Sequence, residues 1–277
     1  MTEYLRRGSK GEEVRLLQKG IAVFGNNITG ITKFDESFGP ATELTLKTYQ
    51  SQNKLAMTGI YDAETQAILA PNIDYMFIRK EDMDDYANEL GVESAALKAV
   101  YSVESRGDGF TPRGNCVILY EGHIFYRLYE KAYGTTKVLQ LARQYPTLIY
   151  KDWTSKHYQG GDRENQRLEQ AKRIHEEIAL QSASWGLFQV MGFNYAIGGY
   201  KDVFKYEEAM NENEFEQFHM GCSFIRNDRN LLNALRAKNW STFARIYNGP
   251  GYAKNSYHTK MAAAYAQHQR DERIARG

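Results

Sequence analysis

The chain has 277 residues, room for one or two domains, and sets 35 Lys and Arg against 34 Asp and Glu. That balance lacks the basic excess of a dedicated nucleic-acid binder, and no run approaches the ~18 apolar residues of a membrane span. The opening "MTEYLRRGSKGEE" has no apolar core of the secretory kind, so the chain is expected to be made and held in the cytoplasm.

Residues 1–72 predict a small unit of three helices. Val14, Leu17, Ile21 and Phe24 recur at helical spacing after "GSKGEE". A polar loop, "GNNITGITKFDES", separates this helix from "FGPATELTLKTYQSQNKL", where Pro40 suits a first helical turn. "TGIYDAETQAIL" supplies the third helix with Asp62 as its N-cap. Together, "LRRGSKGEEVRLLQKGI", "FGPATELTLKTYQ" and "TGIYDAETQAIL" resemble the peptidoglycan-binding domain carried by many cell-wall hydrolases. The resemblance implies a module that tethers its partner domain to peptidoglycan; a helical bundle serving only as scaffold is the plainer reading.

Pro71 is expected to end the third helix, and 73–80 reads as the linker. Residues 81–277 then form a second, mostly helical domain. Helices are expected near 81–90, 94–105, 120–131, 136–144, 163–180, 213–228, 230–237, 240–247 and 256–274, with turns or a short hairpin between 106 and 120. Cys116 and Cys222 form neither a disulfide framework nor a CxxC pair, so both read as buried thiols. "HEEIA" at His175 begins like the zinc signature HExxH, but Ala179 stands where the second histidine would be, so no metal site is expected. Twenty Tyr, 13 Phe and 3 Trp suit either apolar cores or ring-stacking surfaces.

"ALKAVYSVESRGDGF" places an acid at a revealing position. Ala95, Ala96, Ala99, Val100 and Val103 make a broad apolar face, Ser94 can cap the start, and Glu104 falls in the last turn. Burial and the negative end of the helix dipole both disfavour its charged form, as a general acid requires. An ordinary helix-end pair with Arg106 is the competing reading. Glu121 follows the apolar run Val117–Ile118–Leu119, with His123 close behind. Two carboxyls about 6.5–9.5 Å apart would suit an inverting glycosidase, whereas a structural Glu121 would orient His123 or an arginine. Asp108 could position water or simply sit solvated in its turn. Ser184 and Gln189 in "SASWGLFQVMGFNY" could offer hydrogen bonds to sugar hydroxyl and acetamido groups, and a Gly-Pro-Gly turn after Tyr247 and Asn248 would expose that helix end to a cleft, although each stretch also reads simply as a glycine-rich turn.

In order, "AVYSVESRGDGF", "ILYEGHIFYR", "SASWGLFQVMGFNY" and "FARIYNGPGY" resemble the N-acetylmuramidase domain of phage endolysins over about residues 78–272. The resemblance implies a lysozyme-like fold and hydrolysis of the β-1,4 bond between N-acetylmuramic acid and N-acetylglucosamine. Its catalytic glutamate matches Glu104. More distantly, the order of motifs is similar to goose-type lysozymes and lytic transglycosylases, which form 1,6-anhydro products from one glutamate. An inactive wall-binding protein is a third reading. The "YHTKM" stretch departs from the family, with His258 where an aspartate often stands, and no role is assigned there. The resemblance further implies no cofactor, peptidoglycan as partner, and dependence on a holin-type membrane permeabiliser for access to the wall. A monomer is expected.

Overall fold

The computed structural model describes residues 4–25, 30–105 and 108–276. The chain divides into two compact units, 1–77 with 110–115 and 78–109 with 116–277.

In the first unit, α1 (Glu12–Phe24), α2 (Pro40–Gln52) and α3 (Ala63–Met76) surround a core of Val14, Leu17, Ile21, Leu46, Leu69 and Ile73. Pro40 opens α2 at a position whose amide would be unpaired anyway. Asp62 caps α3, accepting the Thr65 N–H at 3.0 Å. Pro71 does not end α3, contrary to the sequence expectation. The helix runs on to Met76 because Ile73 and Met76 are buried, and a side chain at Gly20 would collide with Ile73. That burial outweighs the ~3 kcal/mol a mid-helix proline costs. Two buried glutamines tie the loops to the helices. Gln18 Nε2 reaches Asp35, the Ser37 carbonyl and Thr42, while Gln50 donates to the Ile60 carbonyl and Thr65 and accepts from the Gly59 N–H. The recurring "FG..T" and "YQ" positions thus act here as internal ties.

Residues 110–115 return to this first unit, which the sequence did not suggest. Phe110 is buried edge-to-face against Phe77, with ring centroids 6.4 Å apart.

In the second unit, α4 (Met83–Leu90) and α5 (Ser94–Glu104) pack with α11 (Arg229–Arg236), α12 (Trp240–Asn248) and α13 (Tyr257–Arg276). Ser102 meets His268 of α13 at 2.9 Å. Ser94 is not the cap of α5. Glu93 holds that place, and the Ser94 hydroxyl turns to Asp84 of α4 instead. On the other side lie α6 (Gly122–Tyr133), α7 (Thr135–Gln144), α8 (Asp162–Gln181), α9 (Val203–Glu212) and α10 (Glu214–Asn227). The sequence reading missed α9. His175 breaks α8 with φ −159° and ψ 102°, and its ring pairs with the Tyr133 hydroxyl at 2.7 Å.

A small antiparallel sheet lies between these groups, in the order β1 (Ile118–Tyr120), β2 (Ala183–Trp185), β3 (Val190–Met191). Ile118 pairs with Trp185 and Tyr120 with Ala183. The hairpin is therefore β2–β3, not a structure within 106–120, and β1 occupies the expected start of the 120–131 helix. The pairing of β1 is long-range, which local pattern does not reveal. The fold is mainly α, with a lysozyme-like helical domain. Among the described residues no helix is long and apolar enough to cross a membrane.

Candidate active site

Glu104 is the last residue of α5, a helix whose Ala95, Ala96, Leu97, Ala99 and Val100 are buried. The carboxyl is half-buried, and its Oε1 accepts a hydrogen bond of 2.8 Å from Asn248 Nδ2. Burial pushes its pKa up to about 7, with the Asn248 amide opposing part of the rise. The carbonyl end of α5 acts in the same direction as burial.

Asn248 is delivered by the end of α12. Asn239 caps that helix, and Gly249 at φ 76° with Pro250 turns the chain away after Asn248. Tyr247 stacks on Phe243 with centroids 5.6 Å apart and donates its hydroxyl proton to the Phe188 carbonyl at 2.7 Å. Its phenol is held neutral by burial and by the nearby Glu104 charge. Tyr247 therefore joins α12 to the β2–β3 turn, its donor already used.

Arg106 and Gly107 lie outside the described residues, and with them the alternative pairing of Glu104 with Arg106. Asp108 is half-buried in the turn that follows, its N–H on the Ser105 carbonyl at 3.2 Å. One residue on, Gly109 meets a buried polar pair that the sequence reading did not single out. Glu214, fully buried in the first turn of α10, accepts from the Gly109 N–H at 3.0 Å and the Ile78 N–H at 3.3 Å. One turn later, Gln217 accepts from the Leu187 N–H at 3.0 Å and donates to the carbonyls of Gly109 and Met210. Its amide also lies 3.6 Å from Cys116 Sγ. A Cβ at Gly109 would stand 2.1 Å from Gln217 Oε1, and one at Gly186 would stand 2.7 Å from the same amide. Gly109 and Gly186 thus make room for one side chain, Gln217. Ile78, Gly109 and Cys116 are also where the chain enters or leaves the second unit. The detectable signal was two polar residues three apart on an otherwise apolar helix face.

Ser184 and Gln189 come together, but with each other. Ser184 Oγ donates to Gln189 Oε1 at 2.9 Å, and Gln189 Nε2 donates to the Val117 and Gly186 carbonyls. Gln189 sits at φ 49°, so these bonds hold a left-handed turn. Glu121 is the residue before α6, its Oε2 2.7 Å from the Tyr158 hydroxyl and 3.2 Å from His123 Nδ1. Both cysteines are buried free thiols, and burial raises Cys116 to about 12. Among the described residues no three His, Cys, Asp or Glu side chains gather as a metal site would need. His258 lies edge-on to Tyr252.

This geometry supplies one carboxyl that keeps its proton near neutrality, beside an amide that fixes its orientation, at the end of a rigid helix. Such a constellation can donate a proton to a leaving oxygen. The arrangement, in a mainly helical domain with one small sheet, is that of a lysozyme-like domain.

Known proteins agree with that class. Residues 93–269 match the model of the N-acetylmuramidase family, and residues 10–69 match the putative peptidoglycan binding domain. The crystal structure of the Burkholderia AP3 phage endolysin is similar at a TM-score of 0.67 and 36% identity, over 97% of this chain and 100% of that one. No curated protein matches the chain. The chain belongs to the N-acetylmuramidase family, with an N-terminal peptidoglycan-binding domain.

Proposed function

We propose that this protein is an endolysin that hydrolyses the β-1,4 bond between N-acetylmuramic acid and N-acetylglucosamine, with Glu104 as general acid. One observation carries the reading: the half-buried Glu104 carboxyl, raised to about 7 and held by Asn248. A carboxyl of that pKa is largely protonated in mildly acidic medium and about half protonated at neutrality. It gives its proton to the glycosidic oxygen as the C–O bond breaks, and water adds to the sugar carbon. Glu121 already accepts from the Tyr158 hydroxyl, which favours an orienting role over that of a second acid.

Residues 1–72 are proposed to hold the enzyme on peptidoglycan, and 81–277 to carry the reaction. Kinship with a phage endolysin supports a role in host-cell lysis. On this reading the monomeric enzyme waits in the host cytoplasm until a holin-type partner permeabilises the membrane, then acts on the wall from the periplasm.

Mass spectrometry of soluble products from purified peptidoglycan tests the chemistry. Reducing N-acetylmuramic acid ends are expected from hydrolysis. Products lighter by one water, with 1,6-anhydro ends, would instead mean a transglycosylase. Glu104→Gln keeps the shape of the side chain without its acidic proton and should lower turnover by roughly 10²-fold or more.

A further inference from the structure

The 145–161 connection between α7 and α8 is long for a loop without helix or strand, yet it is fastened along its length. Tyr120 donates to the Leu148 carbonyl at 3.1 Å, and Arg167 to the Thr147 carbonyl at 3.3 Å. Arg167 and Glu164 form a buried pair at 2.7 Å, and Glu164 also accepts from the Gly160 N–H at 3.2 Å. Near the tip, Trp153 is 65% exposed. Its side chain lies beside Tyr158, whose hydroxyl donates to Glu121 at 2.7 Å. An exposed indole thus stands next to a tyrosine that is itself tied to a carboxylate.

We propose that Trp153, Tyr158 and Glu121 form an outer glycan subsite, in which the indole stacks on a pyranose ring and the Glu121 carboxylate accepts from a sugar hydroxyl or acetamido group. This rests on the reading of the protein as a peptidoglycan glycosidase. A pyranose carries an apolar C–H face bordered by polar groups, and a flat ring beside a carboxylate complements both. Glu121 Oε2 accepts from Tyr158, so Oε1 is the oxygen proposed to accept from a ligand. The surroundings favour a sugar over a protein or a membrane. Trp153 stands in the chain among exposed Lys151, Asp152, Ser155 and Lys156, a polar setting unlike the apolar core that a protein interface buries.

The subsite also has a route to the proposed acid. Glu121 directly follows β1, and at the other end of that strand the Val117 N–H bonds the Gly109 carbonyl of the loop after Glu104, at 2.9 Å. Four residues of extended chain separate Val117 from Glu121, roughly 13 Å. That length suits a strand of several sugars better than one disaccharide.

Titration of the Glu104→Gln protein with peptide-free strands of alternating N-acetylglucosamine and N-acetylmuramic acid, followed by tryptophan fluorescence and calorimetry, tests the proposal. Saturable binding should weaken about 3- to 10-fold in Trp153→Ala and recover in Trp153→Tyr. In the otherwise native enzyme, Trp153→Ala should raise KM on the same strands with kcat nearly unchanged. Unaltered glycan affinity in Trp153→Ala would overturn the subsite, as would a Trp153 signal that answers only to anionic phospholipid vesicles. Should Glu104→Gln retain full turnover, the assignment of the acid fails, while the KM of Trp153→Ala in the otherwise native enzyme still reads the subsite independently.

Discussion

Asn248 donates a 2.8 Å hydrogen bond to Glu104 from 144 positions away in the chain, joining the last residues of two helices. The amide favours the charged carboxylate, whereas burial favours the protonated form, and burial prevails. Replacing Asn248 by Ala removes the opposing influence, so the alkaline limb of the pH–kcat profile should move above its position near 7. Loss of orientation should lower kcat as well, by roughly tenfold. A profile whose alkaline limb stays in place while kcat falls would show that the amide acts on geometry alone.

The raised pKa also makes stability depend on pH. Folded Glu104 binds its proton more tightly than the unfolded chain does, so the folded state holds more protons between about 4.5 and 7. Stability from this group is complete below 4.5 and is lost as pH rises through 7. Glu104→Gln removes the charge, so its Tm should exceed that of the native protein at pH 8, and the difference should shrink towards pH 4. Thermal melts at both pH values decide this.

Gln217 and Glu214 carry the largest expected stability effects. Gln217→Leu strips partners from the Leu187 N–H and the Gly109 and Met210 carbonyls, in a place where water does not replace them. A loss of roughly 3 kcal/mol or more is expected in urea unfolding. Gly109→Ala should cost about 1–3 kcal/mol, because its Cβ would meet both Gln217 and the Glu214 side chain. Since the same bonds hold the loop that follows Glu104, kcat should fall in variants that still fold.

Ser184→Ala tests whether that hydroxyl meets substrate or only Gln189. The observed bond of 2.9 Å predicts a stability loss of about 1 kcal/mol with KM unchanged. A raised KM at unchanged Tm would return Ser184 to the sugar groove.

In the first unit, Gln50→Ala should destabilise the fold by about 2–3 kcal/mol and weaken sedimentation with purified sacculi, because the 58–65 turn loses its internal tie. Disrupting the Lys47–Glu43 pair by Lys47→Ala should leave stability nearly unchanged in urea unfolding, since both side chains are partly open to water.

Much of this molecule is readable from local pattern. The helices α1, α2 and α3, the Asp62 cap, the Pro40 start and the placing of Glu104 at the end of a small apolar helix all depend on neighbours within a turn or two. Spacing, capping and composition act at that range, and they do so before any tertiary contact forms. Tertiary structure decided the rest. Pro71 lies within a helix because distant apolar residues bury the turn beyond it. Ser94 turned its hydroxyl to Asp84 of a neighbouring helix, and Glu93 took the cap position. Tyr120 entered a strand because β2 pairs with it from more than sixty positions away. Ser184 and Gln189 turned towards each other, Asn248 towards Glu104, and Phe110 towards Phe77. Each outcome turns on which buried polar or apolar group finds its partner, and a linear sequence names the groups without stating which of them meet.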